Sequence, residues 1–176
     1  MRLRGKKIAF LIDEGFEDLE FWVTVMRLRE EGAQVTIVDP GGKKNYRGKN
    51  GLAASADVGI ERVGPGEFDA VVIPGGWAPD KMRRSGAVKR FVGDMHLAGK
   101  IVGMICHAGL VGISAGIVQG RRATGSLGIM DDLVNAGATW VDEPAFRDGN
   151  LVWGRVVADI PDFCRELVTA IESQQG

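Results

Sequence analysis

The chain has 176 residues, of which 45% are hydrophobic and 26% are charged, and its formal net charge is −1. The length fits a single domain, which we place over residues 1–176, and the composition excludes an intrinsically disordered chain. The balanced charge argues against nucleic-acid binding through bulk electrostatics, so no nucleic-acid partner is expected.

Apolar strands and helices alternate along the chain. The predicted order is strand 7–13, helix 16–31, strand 34–38, a polar segment 43–61 with a hairpin turn at 50–51, strand 70–73, helix 85–98, strand 100–105, helix 107–118, helix 129–136, strand 139–141, a strand pair within 146–153 that turns at 148–149, and helix 160–171. Continuously apolar strands between helices predict a doubly wound, mostly parallel α/β sheet with helices on both faces.

Ligands of such sheets bind beyond the carboxyl ends of the strands. This rule selects four segments, at 15–18, 39–42, 74–80 and 106–109. Residues 101–118 carry no formal charge when His107 is neutral, but their pattern changes at Cys106 from strand-like to helix-like. We therefore interpret them as a buried strand, a turn and a helix, and expect no membrane span.

The two cysteines, Cys106 and Cys164, have different surroundings in the sequence. They form no disulfide framework and no zinc motif, which favours a reduced, cytoplasmic setting without a metal or cofactor. Cys106 stands where a buried strand meets a helix, the position of a nucleophile on a strained turn, and the helix N-terminus favours its thiolate. Cys164 lies at helical spacing with Phe163 and Leu167, as expected for inert packing.

Two further groups are expected near Cys106. His107 follows it directly and is able to deprotonate or orient a partner. The loop after the first strand contains several carboxylates, and one that reaches Cys106 would have a raised pKa coupled to that of the thiol. Sequence spacing alone does not select which one. Gly75 and Gly76 end a strand beside the same cleft, where backbone N–H groups can form part of an oxyanion hole.

Several ordered motifs resemble those of the PfpI/ThiJ superfamily, and of its PfpI branch in particular. They are GFEDLE at 15–20, VIPGGWAPD at 72–80, ICHAG at 105–109, SAG at 114–116, GRRAT at 120–124, GIMDD at 128–132, NAG at 135–137 and WVD at 140–142. The match runs from about residue 7 to the last helix, and the ordered set is far more specific than any single motif.

The resemblance implies a flavodoxin-like fold, a homodimer that often assembles into hexamers, and a set of site residues. It makes Cys106 the nucleophile with His107 beside it, and it selects Glu17 as the carboxyl that hydrogen-bonds the sulfur. Asp80 stands where the PfpI branch has a glutamate that reaches the histidine from the neighbouring subunit. The resemblance puts oxyanion donors at the backbone N–H groups of Gly76 and His107. The remaining expected oxyanion or substrate-binding residues are Gly75, Trp77 and Ala108.

Three functions follow from these expectations. The first is a cofactor-free cysteine enzyme acting on small reactive aldehydes or glycated adducts, as a glyoxalase III or protein deglycase does. The second is an intracellular cysteine peptidase. The third is not enzymatic: a redox-sensing stress protein or holdase in which Cys106 is oxidised. A glutamine amidotransferase domain is excluded because no histidine follows His107 in the chain.

Overall fold

A seven-stranded sheet forms the centre of the molecule in the computed structural model, which describes residues 1–174. The strands of the described chain are β1 (Lys7–Leu11), β2 (Gln34–Asp39), β3 (Asn45–Arg47), β4 (Ala53–Ser55), β5 (Val58–Gly59), β6 (Ala70–Ile73), β7 (Ile101–Ile105), β8 (Arg122–Ala123), β9 (Thr139–Trp140), β10 (Ala145–Asp148) and β11 (Leu151–Gly154). The central order is β10-β11-β7-β6-β1-β2-β5, and every neighbouring pair is parallel except β10 with β11. The predicted mostly parallel sheet is therefore confirmed.

Helices cover both faces of this sheet. They are α1 (Asp18–Glu30), α2 (Ala78–Met82), α3 (Gly86–Leu97), α4 (Gly109–Ser114), α5 (Met130–Asn135) and α6 (Ile160–Glu172). Successive residues of a strand point to opposite faces. On β7, Gly103 faces Leu167 of α6, whereas Met104 faces Gly112 of α4. The helices α6 and α4 thus lie on opposite sides, as a doubly wound fold requires.

The predicted helix over 107–118 is wrong in its extent. Residues Cys106–Ala108 form a 3₁₀ turn, and α4 covers only Gly109–Ser114. It ends there because Gly116 adopts the left-handed conformation, with φ 75°. The short helix α2 and the two-residue strands β5 and β8 were not predicted, since elements of this length carry too little periodicity to be recognised.

The predicted hairpin turn at 50–51 is confirmed, and it lies beside the carboxyl ends of the strands. β3 and β4 pair antiparallel around it, and Gly51 adopts φ 103°. The fold therefore places one hairpin and several strand-to-helix turns around the same edge of the sheet.

Within residues 1–174, no helix is both long enough and apolar enough to cross a membrane.

Gly103 allows α6 to pack closely on β7. A Cβ atom at this position would stand 2.6 Å from Leu167 Cδ2 in the fully buried core. We expect Gly103→Ala to lower the free energy of unfolding by about 1–3 kcal/mol, because a packed core resists extra volume. Urea denaturation followed by circular dichroism measures the change.

The control is Gly42→Ala, where a Cβ would meet no atom within 4 Å. Its free energy of unfolding should stay within about 1 kcal/mol of that of the wild type. Equal stability of both variants would contradict the close packing of α6 on the sheet.

Candidate active site

Cys106 lies on a strained turn at the end of β7. It has φ 60°, and it is the one non-glycine residue within 1–174 in the left-handed region of backbone space. Such a conformation costs about 1–3 kcal/mol and persists where the surrounding structure holds it. The side chain is partly exposed, in contrast to the buried Cys164. The predicted position of Cys106 on an accessible, strained turn is thus confirmed.

The turn opens into a cavity of about 720 Å³ at the carboxyl ends of the strands. Of the segments that sequence reasoning selected, 15–18, 74–80 and 106–109 all contribute to its wall. The lining combines apolar side chains such as Trp77 with ionisable ones. The ionisable residues include Glu20, Lys49, Asp80, Cys106 and His107. The cavity therefore gives a small molecule access to the sulfur.

The His107 side chain converges with that of Cys106. Its Nδ1 atom lies 3.2 Å from the Cys106 Sγ. Burial, and the nearby positive charge of Lys49, lower the pKa of His107 below its usual range. The ring is therefore neutral at pH 7 and able to accept a proton, as a general base must be.

Glu20, and not Glu17, is the carboxyl beside the sulfur. Glu20 is fully buried, and its Oε2 accepts a hydrogen bond from the Gly75 N–H at 2.7 Å. The carboxyl also stands beside the Cys106 thiol, since a Cβ on Gly75 would lie 2.5 Å from Glu20 Oε2 and 3.2 Å from the Cys106 Sγ. Burial is the main reason that the pKa of Glu20 rises to about 7. A carboxyl with a raised pKa near Cys106 is confirmed, but on a different residue from the expected one.

Glu17 has another task, and the expectation that it hydrogen-bonds the sulfur is wrong. Its Oε2 accepts from the backbone N–H groups of Leu19 and Glu20 at 2.9 and 2.8 Å, so it is the N-cap of α1. A carboxylate that caps a helix is directed toward the helix's own N–H groups. Once Glu17 is recognised as the N-cap, helical spacing places Glu20, three residues later, in the first turn of α1. That position is buried.

Cys106 and Glu20 titrate as a coupled pair. Burial raises the pKa of Cys106, and the charge of Glu20 and its hydrogen bond to the thiol raise it further, to about 12, while the N–H groups of His107 and Gly76 lower it. Burial thus opposes the thiolate that the helix N-terminus alone would favour. Two adjacent negative charges are unfavourable, so the pair keeps one proton above neutral pH.

We infer that this proton resides on Glu20 when the sulfur reacts. The Glu20 Oε1 atom is buried and has no hydrogen-bond partner within the described chain. An unpaired buried anion is costly. A protonated carboxyl avoids this cost and can donate to a thiolate that the Gly76 and His107 N–H groups also face.

The glycines after β6 have separate roles. The Gly75 N–H is occupied by Glu20, so the predicted oxyanion function falls on Gly76 alone, whose N–H faces the sulfur. A Cβ on Gly75 would stand 2.5 Å from Glu20 Oε2 and 2.7 Å from Cys106 Cβ. Gly76 has φ 78°, which a side chain would strain. Both glycines therefore allow the backbone to approach the reactive pair.

The other predicted residues differ in their access to the cavity. Trp77 is 63% exposed and lines the cavity, as predicted. Ala108 is fully buried and does not line it, so its predicted substrate contact is not present. Asp80 lines the cavity but forms an ion pair with Arg84 and does not reach His107 of its own chain.

Lys49, which sequence reasoning missed, also lines the cavity, as does Ser126, which the family resemblance offers as a source of a substrate-side hydroxyl. Lys49 belongs to the β3–β4 turn. The Ser126 N–H donates to the Cys106 carbonyl oxygen at 3.1 Å, a hydrogen bond that stabilises the turn at Cys106. Lys49 lies in a segment without a strong local signal, and only the packing of distant turns brings it to the cavity.

The shared proton predicts how the reactivity of Cys106 depends on pH. We expect the rate of Cys106 alkylation by iodoacetamide to rise with pH around a midpoint near 7, where the pair loses its first proton. In Glu20→Leu no acid remains to donate to the thiolate and burial still opposes it, so the midpoint should move upward by about one pH unit or more. Stopped-time alkylation with peptide mass spectrometry measures both profiles.

Glu17→Gln is the matched control. Its amide oxygen can still cap α1, and no proton of the Cys106–Glu20 pair is removed. Its alkylation midpoint should match that of the wild type. A midpoint that shifts in Glu17→Gln and stays in Glu20→Leu would restore Glu17 as the partner of the sulfur.

Known proteins resemble this chain over most of its length. Residues 6–170 match the family model described as the DJ-1/PfpI family. The chain is 40% identical over 166 residues to a deglycase of Pyrococcus horikoshii, covering 94% of this chain and 99% of that protein. It is 39% identical over 164 residues to protein/nucleic acid deglycase 2 of Escherichia coli, covering 92% and 95%.

A solved structure extends the similarity to the fold. A two-domain protein of Anabaena variabilis, with DJ-1/ThiJ/PfpI-like and ferritin-like domains, superposes with a TM-score of 0.91 at 39% identity. The match covers 93% of this chain and 49% of that one. With a family model matched over nearly its whole length and a shared fold, the chain belongs to the DJ-1/PfpI family.

Proposed function

We propose that the protein is a cysteine-dependent enzyme of the deglycase type, which acts on small reactive aldehydes and on the adducts they form with amino acids. The observation that carries this proposal is the Cys106 sulfur, partly exposed in a cavity and flanked by His107 Nδ1 at 3.2 Å and by the Glu20 carboxyl. The two relatives described above, both named deglycases, support it.

The chemistry begins at the aldehyde carbon. The Cys106 thiolate adds to it, a C–S bond forms, and the carbonyl oxygen becomes an oxyanion that takes a proton to give a hemithioacetal. For a 2-oxoaldehyde, His107 removes the proton on the former aldehyde carbon and returns it to the neighbouring carbon, while the hydroxyl proton of the hemithioacetal moves to the former ketone oxygen. The two transfers convert the hemithioacetal into a thioester of the 2-hydroxy acid. Water then cleaves the thioester and releases a 2-hydroxy acid and the free thiol.

This sequence balances without an external oxidant, since the aldehyde carbon is oxidised while the adjacent ketone carbon is reduced. The net reaction is the oxoaldehyde plus water giving the hydroxy acid. For a glycated substrate, the amine or thiol that carried the aldehyde is released as well. No metal or cofactor is required by any step.

The backbone supports the charge that develops on oxygen. The N–H groups of Gly76 and His107 already face the sulfur, so an oxyanion on a carbon bound to that sulfur lies near them. The Ser126 N–H binds the Cys106 carbonyl oxygen, which limits movement of the Cys106 backbone during the reaction. Preorganised donors of this kind are usually the largest contribution to catalysis.

The neighbouring subunit enters the proposal through Asp80. The family resemblance implies a homodimer, and higher assembly into hexamers, in which Asp80 of one subunit orients His107 of another. Within one chain Asp80 is exposed and paired with Arg84, so it remains available at the surface. The homodimer, a cytoplasmic location and a role in the stress response stay predictions.

Two other functions use the same sulfur. A cysteine peptidase would attack an amide carbonyl, and a redox sensor would oxidise Cys106 with Glu20 stabilising the product. The apolar Trp77 at the cavity wall and the depth of the reactive pair favour small carbonyl compounds over a folded polypeptide chain.

The decisive variant is Cys106→Ala. We expect it to lose activity on methylglyoxal and on the methylglyoxal adduct of N-acetylcysteine by about 100-fold or more, because the cavity lining contains no other thiol to form the hemithioacetal and thioester. Lactate release and recovery of the free thiol measure the two reactions.

Cys164→Ala is the control, since this thiol is buried beside Thr24 and away from the cavity. It should retain wild-type rates. Equal rates for wild type and Cys106→Ala would overturn the enzyme proposal. Cleavage of a fluorogenic peptide by wild type, without turnover of either aldehyde substrate, would select the peptidase. Oxidation of Cys106 by mild peroxide, again without turnover, would select the sensor.

A further inference from the structure

The turn between β3 and β4 is clamped onto the start of α1. The Asp18 carboxylate, only 2% exposed, accepts hydrogen bonds from the N–H groups of Asn50 at 2.8 Å and Leu52 at 2.7 Å. The Lys49 N–H donates to the Phe16 carbonyl at 2.9 Å. These bonds fix the backbone on both sides of Lys49, an exposed residue that lines the cavity.

Gly48 makes this clamp possible. A Cβ atom on Gly48 would stand 2.5 Å from the Asp18 carboxyl carbon, so any side chain there would displace the carboxylate. The position of Lys49 is therefore a consequence of buried contacts and not of a freely moving loop. The backbone that carries this cation is therefore already ordered before an anion binds, which lowers the ordering cost of binding.

The charge of Lys49 acts on both partners of the sulfur. It lowers the pKa of His107 and opposes the rise in the pKa of Glu20. These two side chains flank Cys106, so the same field extends to a molecule that reacts there. An anionic group next to the reacting carbon would therefore be attracted to the Lys49 side of the cavity.

The other charged side chains that line the cavity make hydrogen bonds or ion pairs within the chain. Glu17 caps α1, Glu20 binds Gly75, Asp80 pairs with Arg84, and Lys81 donates to the Glu14 carbonyl. The salt bridges of residues 1–174 leave Lys49 without a carboxylate partner. An anionic substrate or an ion from solution can therefore pair with it at the cavity.

We propose that Lys49 selects the substrate of this site and favours carbonyl adducts that carry a carboxylate near the reacting carbon, such as aldehyde adducts of free amino acids or of C-terminal residues. The adducts of side chains within a polypeptide, which lack that carboxylate, are the disfavoured class. This inference rests on the proposed function for its substrate, although its electrostatic part can be tested without turnover.

The first test compares two alkylating agents of nearly equal shape, anionic iodoacetate and neutral iodoacetamide. Both agents react with the Cys106 thiolate. The ratio of their two rates is therefore independent of the fraction of Cys106 that is ionised. Lys49→Met should lower the iodoacetate-to-iodoacetamide ratio about fivefold, and added salt should lower the wild-type ratio toward that of the variant.

Two controls accompany it. Lys49→Arg keeps the charge and should keep the ratio. Lys44→Met removes the same charge from an exposed residue just before β3, outside the cavity, and should also keep it. An unchanged ratio in Lys49→Met, or an equal fall in Lys44→Met, would overturn the assignment.

The second test uses the methylglyoxal adducts of N-acetylcysteine and of N-acetylcysteine amide, which differ only in the carboxylate. The wild type should prefer the acid in kcat/KM, and Lys49→Met should lose that preference. If the wild type turns over neither adduct, the proposed function fails while the alkylation ratio still tests Lys49. If the wild type turns over both equally, the selection by Lys49 fails and the proposed function stands.

Discussion

The site depends on one proton shared between two neighbouring groups, the partly exposed Cys106 sulfur and the fully buried Glu20 carboxyl. Burial disfavours a charge on either group, and their proximity disfavours a charge on both. The pair resolves this conflict by keeping one proton and one charge. The strained turn at Cys106, the glycines that admit the carboxyl and the N–H groups that face the sulfur all serve this arrangement.

Three separate parts of the chain have to meet for that proton to be shared. The end of β7 carries the sulfur, the first turn of α1 carries Glu20, and the turn after β6 brings Gly75 between them. The carboxyl ends of parallel strands lie at the same edge of the sheet, so the loops that follow these strands lie close together there. The β3–β4 turn is added to this edge through Asp18, which brings the positive charge of Lys49.

The helix α1 illustrates how one short motif divides its work. Within the GFEDLE segment, Glu17 caps the helix, Asp18 clamps the hairpin and Glu20 meets the sulfur. Three carboxylates within four residues would repel one another if they faced the same way. The helical turn directs each toward different N–H groups, so that hydrogen bonds stabilise the charges of Glu17 and Asp18.

The doubly wound sheet and the position of Cys106 at the end of a buried strand could be predicted from the sequence, because apolar runs, glycine stops and strand–helix alternation are local signals. The sequence alone did not decide which carboxylate meets the sulfur, nor that Lys49 joins the site, nor that Ala108 stays buried. Those outcomes depend on where helix α1 begins and on how residues far apart in the chain pack together. Only the tertiary structure decides them, since spacing along the chain does not specify the direction in which a side chain points across the cavity.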